Sequence, residues 1–267
     1  MTVISQDPFE KWFQDKQAAI LRQMTFKELR KGVQAVSSLY VERRNKLSKT
    51  SRICDGIAKR AAFGFYYGTL HFLVVRKIVE ALPMLKKPAR SVLDLGCGTG
   101  MAGVAFCAGM TTEKIYRQVI GIDQSADYLR EAQHNYRVFE KAYQFRGSVK
   151  KSNIEKAPLP ESGDTILISF CVNELTPTRQ NEMCQELLKK AHQNKTVLIV
   201  EPLAERLTPF WTSWKDAFLK VGGRCDTWRF QRNNYVPDFL QELSLAAGLG
   251  DEELLAKSLF LENAGLD

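Results

Sequence analysis

A chain of 267 residues that is 45% apolar and 25% charged is long enough to bury a substantial core, which excludes an intrinsically disordered polymer. The longest apolar candidate, Ala61 to Val75, is interrupted by Gly64, Gly68 and His71 and falls short of the ~20 residues of a membrane span, so a soluble protein is expected. The net charge of +8 is unevenly placed, because residues 1–90 carry 18 Lys and Arg against 7 Asp and Glu, while the remainder carries 20 against 23. A basic appendage beside a near-neutral core suits a phosphate-rich partner, and equally a set of solvated helix faces. Six scattered cysteines with no C-x-x-C pair, and no secretory signal at the N-terminus, read as reduced thiols of a cytoplasmic protein.

In chain order, Pro8 to Met24 places Phe9, Trp12, Phe13, Ile20 and Leu21 among charges, the pattern of an amphipathic helix with proline in its first turn. Thr25 and Glu28 then form a capping box for a helix over 25–47, with Leu29, Val33, Val36 and Leu39 on one face. Lys46, Lys49, Arg52, Lys59 and Arg60 surround a Ser/Thr-rich break at 48–51, readable as a phosphate-facing loop or a solvated linker. An aromatic segment, Ala61 to Phe72, runs into a helix to about Leu82, and its Tyr66, Tyr67 and His71 are core or cleft-lining side chains. Pro83 and Pro88 mark a boundary.

Ser91 to Leu95 has the bulk of a buried strand and runs directly into Gly96-Cys97-Gly98-Thr99-Gly100. Alternate glycines let a ligand approach the backbone, and the apolar stretch from Met101 opens a helix whose N-terminal amides face it. A nucleotide-like ligand follows. The spacing weakens a dinucleotide fingerprint, since Met101 stands where its third glycine belongs, and the absence of Gly-Lys-Ser/Thr excludes a Walker A loop. Asp94 with Gly96, Gly98 and Gly100 resembles the first motif of class I S-adenosylmethionine-dependent methyltransferases. That resemblance implies an α/β, doubly wound, mostly parallel Rossmann-like sheet, here with a helical N-terminal extension, and S-adenosylmethionine as cofactor.

The rest of the chain fits that frame. Val119 to Asp123 reads as strand 2, and a carboxylate at its end can accept both hydroxyls of a ribose, although an acid there can also serve the helix beginning at Ser125. A helix over 126–139 and a strand over 143–149 follow. The resemblance puts Asn153 and Ile154 against the adenine, with a turn asparagine as the alternative, and adds Cys97, Gln124 and Phe170 to the cofactor-binding set. Asp164 to Phe170 reads as strand 4, whose tip faces the methyl group in this family, which makes Asn173 and Glu174 the catalytic candidates unless they cap the helix from Pro177. No Pro-Pro-aromatic sequence follows Asn173, which argues against the motif that serves exocyclic base amines. A helix over 179–192, strand 5 over 196–202 and a helix over 209–221 come next. Arg224, Trp228, Arg229, Phe230 and Arg232 suit RNA stacking or a packed β-corner, and Ser258 to Leu261 suits a last strand.

Arg60-Ala61-Ala62, Ser169 to Leu175 and Val200-Glu201-Pro202 more distantly resemble the methyltransferase-like family associated with the small ribosomal subunit. This chain lacks that family's cysteine cluster after strand 5 but keeps the full glycine loop. The resemblance implies the small subunit or its RNA as partner. The expected organisation is a helical basic region over 1–88 and a cofactor-binding domain over 89–267, with a C-terminal addition from about 204. The expected reaction is methyl transfer to ribosomal RNA. A small-molecule or protein methyltransferase, or an assembly factor that binds the cofactor without turnover, are the alternatives. No metal and no membrane partner are expected.

Overall fold

The computed structural model describes residues 7–42, 56–82, 89–110 and 115–262. Its centre is a seven-stranded sheet built from β1 (Ser91–Leu95), β2 (Arg117–Asp123), β3 (Phe145–Lys151), β4 (Thr165–Ser169), β5 (Thr196–Pro202), β6 (Arg224–Gln231) and β7 (Glu253–Leu261). The spatial order is β3-β2-β1-β4-β5-β7-β6. The first five strands pair in parallel, β7 lies antiparallel to β5, and β6 lies antiparallel to β7.

The central strands are continuous apolar runs because both faces are covered. Along β5, Leu198 and Val200 point into one core while Val197 and Ile199 point into the other. Leu167 of β4 joins the first core, and Ile166 and Ile168 join the second. The second core is closed by α7 (Pro177–His192) and α8 (Trp211–Lys220), through Met183, Leu187, Trp214 and Phe218. The first is closed by α5 (Met101–Gly109) and α6 (Ala126–Phe139), and also by the N-terminal helices.

Those N-terminal helices are α1 (Pro8–Leu21) and α2 (Phe26–Glu42), followed by α3 (Ile57–Ala61), a π-helical stretch (Ala62–Tyr67) and α4 (Gly68–Ala81). The capping box forms as its spacing demands, with the Thr25 amide donating to Glu28 Oε2 at 2.8 Å and the Glu28 amide donating to Thr25 Oγ1 at 3.3 Å. Phe9 stacks on Phe72 with ring centroids 4.2 Å apart, so α1 shares one core with α4 and the sheet. Trp12 Nε1 donates to Asn135 Oδ1 at 3.2 Å, and Asn135 Nδ2 donates to the Thr99 carbonyl at 2.9 Å. The fully buried Asn135 thus ties α1 to the glycine loop.

Several sequence expectations change in detail. The helix expected to reach residue 47 is described to Glu42; the basic break at 48–51 lies outside the described residues, as do Pro83 and Pro88. Strand 3 begins at Phe145 and runs to Lys151. The segment from Arg224 is the edge strand β6 and not a packed β-corner with solvated arginines. Its arginines are partnered, Arg224 by Asp226 at 2.6 Å and Arg229 by Glu253 at 3.1 Å, and Trp228 Nε1 donates to Ser258 Oγ. The final strand starts at Glu253 and inserts between β5 and β6. A further helix, α9 (Asp238–Ala247), precedes it and ends at Gly248, whose φ of +74° is left-handed. No helix of the described residues is long and apolar enough to cross a membrane.

Candidate active site

β1 is flanked by β2 on one side and β4 on the other, so the strand order reverses there after β3, and a crevice opens at the carboxyl ends of the strands at such a switch point. A cleft of about 1210 Å³, part of it open to solvent, lies there. Gly96, Cys97 and Gly98 form its floor after β1; Asp123, Gln124 and Ser125 line it after β2, and Asn153 and Ile154 after β3. Phe170, Cys171 and Glu174 close it after β4, and Phe63, Gly68 and His71 cover it from the helices ahead of β1.

The loop owes its shape to glycine. Gly96, Gly98 and Gly100 have φ of +67°, +51° and +78°, the left-handed region that side chains disfavour. A Cβ on Gly96 would lie 2.1 Å from Cys171 Sγ, so the loop and the turn after β4 touch through that missing atom. Gly100 does not line the cleft. It caps α5, and a Cβ there would lie 2.7 Å from the Tyr136 ring.

Three strand-ending acids organise the cleft from below. Asp94 is fully buried, and its Oδ2 accepts the Gly103 amide at 3.0 Å, so it braces the first turn of α5 rather than lining the cleft. Its Oδ1 is buried without a hydrogen-bond partner among the described residues. Burial pushes its carboxyl up to about 7, against the stabilising Gly103 amide and with a further push from Asp123. Asp123 reaches the cleft, and its two oxygens accept the Gly98 amide at 3.0 Å and the Ser125 amide at 2.8 Å. Its carboxyl is raised by burial, and these amides oppose the shift. Ser125 itself caps α6, accepting from the Tyr128 amide, so Asp123 is not the N-cap.

Glu201, one residue before the end of β5, is the third. Its Oε1 accepts the Cys171 amide at 3.1 Å and the Val172 amide at 2.8 Å, and burial pushes it up to about 8. It fixes the turn after β4, where Phe170 stands at φ +53° with its amide bonded to the Val200 carbonyl at 2.8 Å. The sequence reading uses Glu201 only as part of a resemblance, yet it carries the signal already recognised at Asp123, an acid closing an apolar strand.

Of the catalytic candidates, the 3-10 turn Val172–Glu174 brings Glu174 to the cleft and leaves Asn173 off its lining. The Asn173 Oδ1 is buried with no hydrogen-bond partner among the described residues. Neither residue caps α7, because Thr176 does, accepting from the Arg179 amide at 3.3 Å. Asn153 lines the cleft and also makes an Asx turn, its Oδ1 accepting the Glu155 amide at 2.9 Å. The aromatic segment divides. Tyr66 is buried and its hydroxyl pairs with Ser244 Oγ at 2.8 Å, whereas Phe63 and His71 face the cleft. Phe63 stacks on Tyr128 at 4.5 Å and His71 on Phe170 at 4.1 Å.

This donor set fits an adenosyl amino acid. It offers an acid at the end of β2 for hydroxyls, a glycine floor that admits close approach, and first-turn helix positions Met101 and Ala102 beside it for a carboxylate. No group of His, Cys, Asp and Glu among the described residues is arranged to hold a metal ion.

Residues 92–193, from β1 through α7, match the family described as a methyltransferase domain. A search of curated proteins finds no match to this chain. Among solved structures, a protein of Nostoc punctiforme provisionally named an O-methyltransferase superposes with a TM-score of 0.50 at 12% identity, covering 86% of this chain and 72% of its own. The bacterial CtHen1-C methyltransferase domain gives 0.49 at 17%, covering 73% and 100%, and a SAM-dependent methyltransferase from Aquifex aeolicus gives 0.45 at 18%, covering 83% and 98%. At these identities the likeness to solved structures is one of fold. With the domain match added to the glycine floor and its bracing acids, residues 92–193 carry a methyltransferase domain on a class I, Rossmann-like fold, with S-adenosylmethionine as its cofactor.

Proposed function

We propose that the methyl acceptor is RNA, with the RNA of the small ribosomal subunit as the leading partner. The observation that carries this reading is the charge division, 18 Lys and Arg against 7 acids in residues 1–90 beside a slightly acidic remainder. Lys150, Lys151 and Lys156, all exposed, extend the positive character along the β3 side of the cleft, next to Asn153. Phosphates neutralised by such a surface release counterions, which gives sequence-independent affinity and a steep dependence on salt. The aromatic walls of the cleft suit a base turned out of its stack, and equally a small aromatic acceptor, which is the second reading. A cytoplasmic location belongs to the same proposal and is supported by the described cysteines, all of them free.

Asp123, Asn153 and Ile154 are assigned the adenosyl half of the cofactor, and the glycine floor with Met101 and Ala102 the amino-acid half. Bound this way, the cofactor supplies a methyl group activated on a sulfonium, so the protein's work is to position the acceptor and exclude water. Asp123→Ala is expected to weaken cofactor binding by about 1–3 kcal/mol, from unpaired hydroxyls and a loosened Gly98 amide. Unchanged affinity in calorimetry would remove the assignment.

The acceptor is tested by transfer of radiolabelled methyl to undermethylated small ribosomal subunits, and in parallel to a small-molecule extract, with RNA, protein and metabolites counted separately. Label in RNA is the expected result. Label confined to protein or metabolites contradicts it.

A further inference from the structure

We infer that His71 is the proton acceptor for the group being methylated, which makes the acceptor a hydroxyl or an N–H group that must lose a proton as it reacts. This rests on the reading of the cleft as the cofactor site. In the sheet order, β2 and β4 flank β1 on opposite sides, so Asp123 and Phe170 stand at opposite ends of the glycine floor. If the adenosyl half takes the β2 and β3 end, the reactive end faces the turn after β4, where His71 lies.

The His71 ring is held on one face. It stands on α4, and one face stacks on Phe170 at 4.1 Å with the planes 14° apart. Stacking uses the ring face and leaves the in-plane nitrogens for hydrogen bonds. Phe170 keeps a left-handed backbone that residues other than glycine disfavour, and the hydrogen bond its amide donates to the Val200 carbonyl, with the Glu201 clamp, holds it there. Burial lowers the imidazole to about 4, so at neutral pH it is uncharged and has a lone pair to offer. Asp94 and Glu201 are already committed to backbone amides beneath the floor. Glu174, at the same end of the cleft, is the competing base.

The bookkeeping of the step closes. The acceptor's lone pair forms the bond to the methyl carbon, the carbon–sulfur pair returns to sulfur, and the acceptor's proton passes to a His71 ring nitrogen and then to solvent.

Sinefungin, which carries an amine where the cofactor carries its methyl, tests this without an acceptor. Calorimetry compares sinefungin with S-adenosylhomocysteine in the wild type, His71→Phe, His71→Gln and Glu174→Gln. His71→Phe keeps an aromatic stack and removes the acceptor nitrogen. It is expected to weaken sinefungin about tenfold while S-adenosylhomocysteine stays within twofold, and His71→Gln, with an amide oxygen to accept, to recover part of the loss. An unchanged ratio in His71→Phe, an equal loss of both ligands, or a loss of discrimination in Glu174→Gln alone overturns the assignment. If the wild type binds neither ligand, the cofactor reading itself has failed, and that result is distinct from the others.

Discussion

Glu201→Ala is expected to destabilise the fold by about 2–5 kcal/mol in urea unfolding, because it orphans two buried amides, those of Cys171 and Val172, and leaves a void beneath the turn after β4. Glu201→Gln keeps an oxygen for both amides and should cost far less. The same residue sets a pH dependence. Its carboxyl is raised from 4.5 to about 8 in the fold, first by burial, with the Val172 and Cys171 amides opposing, so the native state holds a proton that the unfolded chain has released. The stability it contributes is therefore complete below about pH 4.5 and is lost as pH rises through about 8. Asp94, raised from 3.8 to about 7, acts in the same direction. Unfolding free energy should fall as pH rises from 5 to 8, with a visibly flatter slope in Glu201→Gln. An identical slope in the variant would remove Glu201 from the explanation.

Gly96→Ala is expected to weaken S-adenosylhomocysteine by tenfold or more and to lower stability by about 2–4 kcal/mol. The new Cβ would stand 2.1 Å from Cys171 Sγ and 2.9 Å from Cys171 Cβ, and the backbone φ of +67° is strained for alanine whatever the space. Cys171 has little room to yield, since it is buried and its amide is clamped by Glu201. Gly98→Ala is the internal comparison. It shares the left-handed backbone, but its nearest neighbours, the Phe63 ring atoms, are 3.4 Å away, so its cost should be near that of the backbone alone. Equal effects at the two positions would contradict the contact between the glycine loop and the turn after β4.

The parts legible in the sequence are those whose signal is local. β1, β2 and β5 are apolar runs closed by turn residues or acids, and α6 over Ala126–Phe139 keeps a clean helical period, so their positions follow from reading along the chain. The glycines and Asp123 are legible because a tight loop and a strand-end acid have few other uses. β6 is not, since an edge strand mixes Arg224, Asp226 and Arg229 with aromatics, and the acid that pairs Arg229 comes from the distant Glu253. The cleft-facing set on the aromatic segment is hidden for a different reason. The π-helical stretch Ala62–Tyr67 shifts the helical phase, so a regular 3.6-residue period cannot say which of Phe63, Tyr66, Tyr67 and His71 turns toward the cleft. Asn173 shows the same limit in miniature, because one 3-10 turn decides that Glu174 and not its neighbour reaches the cavity.

The central claim is that the cleft at the ends of β1, β2 and β4 holds S-adenosylmethionine. Photo-crosslinking with radiolabelled S-adenosylmethionine, followed by peptide mapping of the full chain, tests it most directly. The account predicts saturable labelling, competed by S-adenosylhomocysteine, in peptides that contain the 96–100 loop or the 169–175 turn. Label that S-adenosylhomocysteine does not compete, or label confined to peptides away from the cleft such as β6, would contradict it.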